Sequence, residues 1–309
     1  MIFRNATLFR LTPSAAAFID AAMLGHRLQS NCLAPVGGLA IESIGWVSPF
    51  GPTDPELFVR CGRFFGLTLG SETRVLPGSV VNKAVFDRVQ ALEAMAGRRV
   101  GGRERKRLRD EVLADLIPRA FVQPGRLDCY LDLQDGWLVV DTASRKAAER
   151  VVTHLRETFD TMPGEFPDPM ESVRSLMTGW LVGAAHPDGF QLGDTAVLRD
   201  PADSGATARL RGQDLESDEV GEHLRSGKQC TDLGLIVDGR VALRLDEAMT
   251  LRGIRILDID DQLESTERDS PRSEVDARFA LFTLIFSNVL SRLAETFRWE
   301  QPRDRGVAA

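Results

Sequence analysis

The period of the apolar positions changes several times along the chain, and those changes mark out its elements. Residues 2–11 alternate in part between apolar and polar, as a half-buried strand does. Thr12-Pro13-Ser14 then supplies a helix start, with Pro13 or Ser14 in the first turn and the helix running to about Leu28. Gly37-Gly38 and residues 48–55 are connections, and residues 57–69 predict one or two strands broken near Gly62. A helical period follows twice, over 79–96 and 103–117, with Gly97 and Gly101-Gly102 between and Pro118 as the stop. Residues 127–133 and 137–140 predict a hairpin turning on Gln134-Asp135-Gly136. Ser144 predicts the N-cap of a helix reaching about Phe159, and the proline-rich residues 162–169 read as a linker.

The second half repeats the mixture. Residues 189–198 and 206–211 have strand character, and Ser217 can cap a short helix through Leu224 that Gly227 closes. Residues 233–237 and 241–245 pair naturally across Asp238-Gly239, and 251–257 adds a strand. A final helix, from about Ser273 to Phe297, places Val275, Phe279, Phe282, Phe286, Val289 and Leu293 at spacings of four and three. Leu281, Leu284, Ile285 and Leu290 widen that stripe, so the helix is expected to lie in its own core rather than form a seam for a partner helix. Hairpins between groups of helices predict an α+β fold of mixed, largely antiparallel sheets, not a doubly wound parallel one. The expected parts are an N-terminal α+β part from residues 1–75 and 122–165, an inserted helical segment at 76–121, and a C-terminal α+β part at 166–309.

Composition supports a folded chain. With 309 residues, 43% hydrophobic and 27% charged, there is material for a large core and two or three packing units. The longest apolar runs, such as residues 281–286, fall far short of the ~20 needed to cross a bilayer. The start lacks the apolar stretch and cleavage site of a signal peptide, so a cytoplasmic protein with no membrane partner is expected. Cys32, Cys61, Cys129 and Cys230 form no C-x-x-C pair, which favours buried free thiols over a zinc site or disulfides.

Charge changes the picture most. A formal net charge of −7 argues at first against a nucleic-acid ligand. Arg98, Arg99, Arg103, Arg105, Lys106, Arg107 and Arg109, however, face only Glu104 within their segment, which gives it +6 and leaves −13 for the rest. A local field matters more to a polyanion than the total does. On the expected helix, Leu108, Val112 and Leu116 make an apolar stripe. The basic residues crowd its first half, while Asp110, Glu111 and Asp115 fall in the second. Helix ends favour the reverse order, each misplaced charge costing about 0.3–1 kcal/mol at most. A phosphate backbone would relieve both this and the mutual repulsion of the guanidinium groups, so the segment reads as a polyanion contact. A charged, solvated face is the alternative on these residues alone. Arginine forks suit bidentate phosphate contacts. No helix-turn-helix, zinc-finger or RNA-recognition pattern accompanies them, and backbone contact without base readout is the natural mode.

Enzyme signatures fail in turn. Residues 221–228 resemble a phosphate loop, but five residues rather than four separate Gly221 from Gly227, and Gln229 stands where Ser or Thr would bind magnesium. His26, His154, His186 and His223 are isolated from one another, and there is no G-x-S-x-G elbow. No catalytic residue, metal or cofactor is expected. Asp258, Asp260 and Asp261, in a run of net −6 over residues 258–276, remain candidates for a metal-dependent nuclease, against the reading of a solvated loop.

Several blocks in order resemble a known family. Leu108-Arg109-Asp110-Glu111-Val112-Leu113, followed by Leu116-Ile117-Pro118-Arg119-Ala120-Phe121, is similar to the central signature of the bacterial recombination-associated protein RdgC. Ile44-Gly45-Trp46-Val47-Ser48-Pro49, Val140-Asp141-Thr142-Ala143-Ser144, Gly189-Phe190-Gln191-Leu192 and Gln213-Asp214-Leu215 resemble its earlier and later blocks. The resemblance implies a non-enzymatic DNA binder whose curved, multi-part subunits form a ring-shaped homodimer. Its positive hole would pass duplex DNA, with single-stranded DNA as a further ligand. It would antagonise RecA by occupying DNA, in the cytoplasm at the nucleoid; the alternative is a protein-interaction factor whose basic helix contacts the recombinase directly. Arg119 and Arg211 are further candidate phosphate contacts, and Phe121, just beyond Pro118, is either an interface anchor or a core residue. The resemblance also shows two departures: Arg211-Gly212 replaces adjacent lysines, and the acidic stretch before the last helix is extended.

Overall fold

The computed structural model describes residues 1–12, 21–160, 164–203, 205–257 and 270–299. The chain divides into two compact units. The first comprises Met1–Ser30, Ser48–Thr68 and Leu127–Ala309, and the second Asn31–Val47 and Leu69–Arg126. Helices and antiparallel sheets together make the fold α+β, as the hairpin spacing predicts.

In the first unit, β1 (Thr7–Leu11) pairs antiparallel with β6 (Trp137–Val140) and with the short β7 (Gly164–Glu165). On the other side of β6 lies the second half of β5 (Phe121–Asp132), also antiparallel. β3 (Phe58–Cys61) pairs antiparallel with the start of β4 (Phe64–Val75). All five residues of β1 and all four of β6 are buried, the mark of strands covered on both faces. The β5–β6 turn is the expected one. Asp132 Oδ1 accepts from the backbone N–H groups of Gln134 and Asp135, each at 3.1 Å, and Gly136 takes φ 67°. Burial raises the Asp132 carboxyl above its ordinary value, opposed by those amides and by Arg63 at 3.0 Å.

A second sheet in this unit runs β12 (Leu251–Ile256), β11 (Val241–Asp246), β10 (Gln229–Val237), β8 (Phe190–Arg199), β9 (Thr207–Arg211). The β10–β11 turn has Asp238 and Gly239 at φ 48° and 64°, the doubly left-handed turn their sequence predicts. Leu198, Leu210, Leu233, Leu235, Leu243, Leu245 and Ile254 enter one core. The intervening positions are mostly polar, so this sheet has one packed face and one charged face.

The long helix α7 (Pro271–Phe297), numbered after α1 (Ala21–Ser30), α2 (Gly78–Ala96), α3 (Gly102–Leu116), α4 (Arg145–Phe159), α5 (Val173–Leu181) and α6 (Asp218–Arg225), adds eight buried side chains to that core. Ser270 caps it in a reciprocal capping box with Ser273. Phe282 packs on Phe3 at 5.0 Å and Phe297 on Trp180 at 6.1 Å between ring centroids. Ile285 and Leu290 join the buried stripe as expected, but Leu284 is exposed, so the apolar face is narrower than its sequence suggests. By length and composition α7 could cross a membrane, a property that counting uninterrupted apolar runs does not detect; its phenylalanines are instead packed in the core.

Other differences are local. β2 (Glu42–Val47) and α5 occupy stretches with no predicted element, and β4 and β5 both exceed their predicted lengths. Exposed residues along 121–126, with Pro124 and Gly125, hide the first half of β5. The linker expected at 162–169 contains β7. Ser144 caps α4, accepting from the Ala147 N–H at 3.3 Å. Ser217 precedes α6 without a side-chain cap, and its hydroxyl is buried without a partner. The four cysteines are free, but only Cys129 and Cys230 are buried; Cys61 is half-buried and Cys32 exposed. Burial pushes the Cys230 thiol up to about 12. The start expected for α1 at Pro13 or Ser14 lies outside the described residues, as do Asp258, Asp260 and Asp261.

Candidate nucleic-acid interface

The second unit holds the basic segment. Its sheet portion is β2 beside the end of β4 beside the start of β5. Gly45 permits a close approach there: a Cβ would meet the Leu33 backbone nitrogen at 2.3 Å, where Leu33 N–H donates to the Trp46 carbonyl at 3.0 Å. From β4 the chain enters α2 and then α3. The two helices share a small core of Val81, Val85, Val89 and Val112, flanked by half-buried Leu108, Leu113 and Leu116.

The turn between the helices is tightly specified. Gly97 ends α2 in the left-handed region at φ 63°, its N–H donating to the Glu93 carbonyl at 3.0 Å. The Glu93 carboxylate accepts from the Val100 N–H at 2.8 Å, and Gly101 begins α3. Side chains then tie the helices: Arg109 donates to Asn82 Oδ1 at 2.9 Å, and Arg88 pairs with Asp115. Asp115 thus serves α2, which explains one acid in the second half of a helix whose first half is basic.

Every basic residue of the segment is exposed, but they are not alike. Arg98 grips Glu104 with both terminal nitrogens, at 2.9 and 3.1 Å, and those hydrogen bonds hold the Glu104 carboxyl below its ordinary value. Arg107 pairs with Glu111 at 3.0 Å, one turn later. Local carboxylates therefore engage two of the charges behind the excess of +6. The charged groups of Arg99, Arg103, Arg105 and Lys106 have no hydrogen-bonding or acidic partner among the described residues. Arg103, Lys106 and Arg107, at spacings of three and four, share the helix face opposite buried Val112. The result is a basic face on a helix that its own apolar stripe holds in place.

Past α3 a 3₁₀ turn, Ile117–Arg119, leads into β5. The α-helix stops at Leu116, as Pro118 predicts, and Pro118 itself sits in the tighter turn that follows. Arg119 is exposed at its end, and Phe121 is 88% exposed, which excludes it from the core. The residue that organises this end, Arg74, carries no signal in the sequence. From β4 it donates to the carbonyls of Ile117 at 2.9 Å, Pro118 at 3.3 Å, and Ala40 at 3.2 Å. Its own N–H donates to the Ile41 carbonyl at 2.8 Å. One guanidinium thus ties the segments bearing Leu39, Ile41, Val75 and Phe121, all exposed large apolar residues. Arg211, by contrast, ends β9 in the first unit and does not belong to this cluster. Among the described residues, no three His, Cys, Asp or Glu side chains come together as a metal-holding group.

A family model described as "Putative exonuclease, RdgC" matches residues 1–300. A recombination-associated protein RdgC of Xanthomonas campestris pv. campestris (strain B100) is 40% identical over 285 residues, covering 92% of this chain and 93% of that protein. One from Xylella fastidiosa (strain 9a5c) is 40% identical over the same coverage. A third, from Stenotrophomonas maltophilia (strain R551-3), is 38% identical over 301 residues, covering 96% of this chain and 98% of that protein.

Proposed function

The chain belongs to the RdgC family, and from that premise we propose that it is a non-enzymatic DNA-binding protein that acts in recombination by occupying duplex DNA. The observation that carries the reading is the exposed face of α3, where Arg103 and Lys106 present charge that no local carboxylate engages. Phosphates recur along a duplex whatever its sequence, so such a face binds without base readout. Exposed Phe121, with the apolar residues that Arg74 draws together, supports a self-complementary contact between two copies. Closing such a dimer into a ring around the duplex requires a second self-contact. DNA held in this way is withheld from RecA, in the cytoplasm at the nucleoid, and single-stranded DNA is a secondary ligand.

Salt titration of duplex binding tests the site. Replacing Arg103, Arg105 and Arg107 together with alanine should weaken binding to unrelated duplexes alike. The plot of log K against log salt should become shallower by about 0.9 for each phosphate that the variant no longer neutralises. An unchanged affinity and slope would remove α3 as the site. Inhibition of RecA by occupancy should fade as free DNA becomes abundant; persistence would favour direct contact with the recombinase. The words of the family description favour a second reading, nuclease action, whose candidate acids are Asp258, Asp260 and Asp261. Magnesium-dependent cleavage that disappears in Asp260→Asn would establish that reading in place of ours.

A further inference from the structure

The charged face of the second sheet closes around a cavity of about 480 Å³, within the first unit and independent of α3. Five arginines line it: Arg199, Arg209, Arg211, Arg244 and Arg252. Strand alternation brings them to one face. Arg209 and Arg211 are two apart on β9, and the adjacent strand β8 sets Val197 opposite Arg209 and Thr195 opposite Arg211.

The arginines fall into two groups. Arg244 holds Asp232 with two hydrogen bonds, at 2.8 and 2.6 Å, and Arg252 holds Asp246 at 3.2 and 3.0 Å. Arg174 occupies the third carboxylate of the wall, Glu247. These couples neutralise themselves and leave Arg199, Arg209 and Arg211. None of the three has a hydrogen-bonding or acidic side-chain partner among the described residues. Packing alone gives no reason to collect three uncompensated guanidinium groups around one concavity, where each repels the others.

We propose that this cavity is a binding site for phosphate anions, with a polyphosphate chain as the best fit. Guanidinium forks match phosphate oxygens bidentately, and the volume lies in the range of small-molecule sites. The hydroxyl of Thr195 adds a neutral donor, whereas that of Thr231 already donates to the Val197 carbonyl at 3.2 Å. No lining residue is aromatic, so recognition runs through the phosphates and is indifferent to any attached base. The phosphates can come from a free polyphosphate or from a nucleic-acid strand; the chemistry of the site is the same.

Calorimetric titration of the full chain with inorganic tripolyphosphate tests this. Binding is expected, and Arg199→Gln, Arg209→Gln and Arg211→Gln together should weaken it by at least about tenfold, the loss of one or more charge-assisted hydrogen bonds. These side chains are exposed, so the thermal midpoint should not move. The variant lacking Arg103, Arg105 and Arg107 should bind tripolyphosphate like the parent, which separates failure of this site from failure of α3. Displacement of tripolyphosphate by a short duplex in that variant would assign the site to nucleic-acid phosphates; binding that a duplex leaves untouched would assign it to free polyphosphates. No binding by the parent chain, or equal binding by the triple glutamine variant, would overturn the proposal.

Discussion

In the first unit, α7 alone buries nine side chains, four of them phenylalanines, in a core shared with two sheets; in the second, α2 and α3 meet over four buried valines. Exposed apolar surface is distributed the other way. Leu39, Ile41, Val75, Val80, Phe86, Met95, Phe121 and Val122 belong to the second unit, against Met23, Met170, Val182 and Leu284 in the first. A buried Phe, Leu or Val contributes roughly 1.5–3 kcal/mol, so the first unit has a large reserve of stability and the second a small one. The second unit also leaves large apolar side chains in water beside unpaired positive charge, whereas the unpaired arginines of the first unit line a concavity without such apolar neighbours. The apolar side chains and the charge beside them are surfaces that a partner would cover.

The largest test of this contrast is in the first unit. Phe282→Ala should lose roughly 3–5 kcal/mol of stability in urea denaturation, because the aromatic cluster around Phe3 and Tyr130 cannot close over the space. A loss under about 1 kcal/mol would mean the core is looser than its packing implies. Val112→Ala should cost less, roughly 1–2 kcal/mol, and the loss should stay local. Amide hydrogen exchange should quicken across residues 78–116 and stay unchanged in β6. Equal quickening in β6 would show that the units unfold as one, and that the contrast is only one of composition.

The same contrast explains what the sequence makes legible. α7 and the β10–β11 hairpin are plain in it because deep burial imposes strict periodicity, and the turn imposes Asp238-Gly239. The first half of β5 is hidden because exposed residues carry no alternation, and β2 because its buried and half-buried positions run together instead of alternating. The basic helix is visible as charge, but its local pairing is not. That Arg98 holds Glu104 depends on the turn at Gly97, and that Asp115 serves α2 depends on helix packing. Arg74 is invisible because its partners are backbone carbonyls, which any sequence supplies. Arg199, Arg209 and Arg211 carry a usable signal, two arginines at strand period near a third, but only sheet pairing places them on one cavity.

The apolar half of the contrast can be tested by itself. Phe121→Ser should raise the dissociation constant of self-association by at least about tenfold, as loss of an aromatic anchor does. At concentrations low enough that parent and variant are both monomeric it should leave the thermal midpoint in place, since the ring is exposed in the single chain. Sedimentation over a range of concentrations reads the first quantity and differential scanning calorimetry the second. Unchanged association would move the contact between copies away from the end of the second unit that Arg74 organises.

The smallest expected effect is the most specific to charge. Glu104→Gln removes the one carboxylate that holds Arg98, without touching the valine core or the α3 apolar stripe. If α3 is only a solvated face, the change is silent. If it meets phosphate, the freed guanidinium gains a ligand and the local field rises by one charge, so duplex affinity should increase several-fold at low salt. The salt slope should steepen by about 0.9 as Arg98 takes up its own phosphate. A gain of binding from the removal of an ion pair is hard to obtain by damaging the fold, which sets this variant apart from any that removes arginines. Unaltered affinity and slope would place Arg98 outside the contact and confine the binding face to Arg103, Lys106 and Arg107.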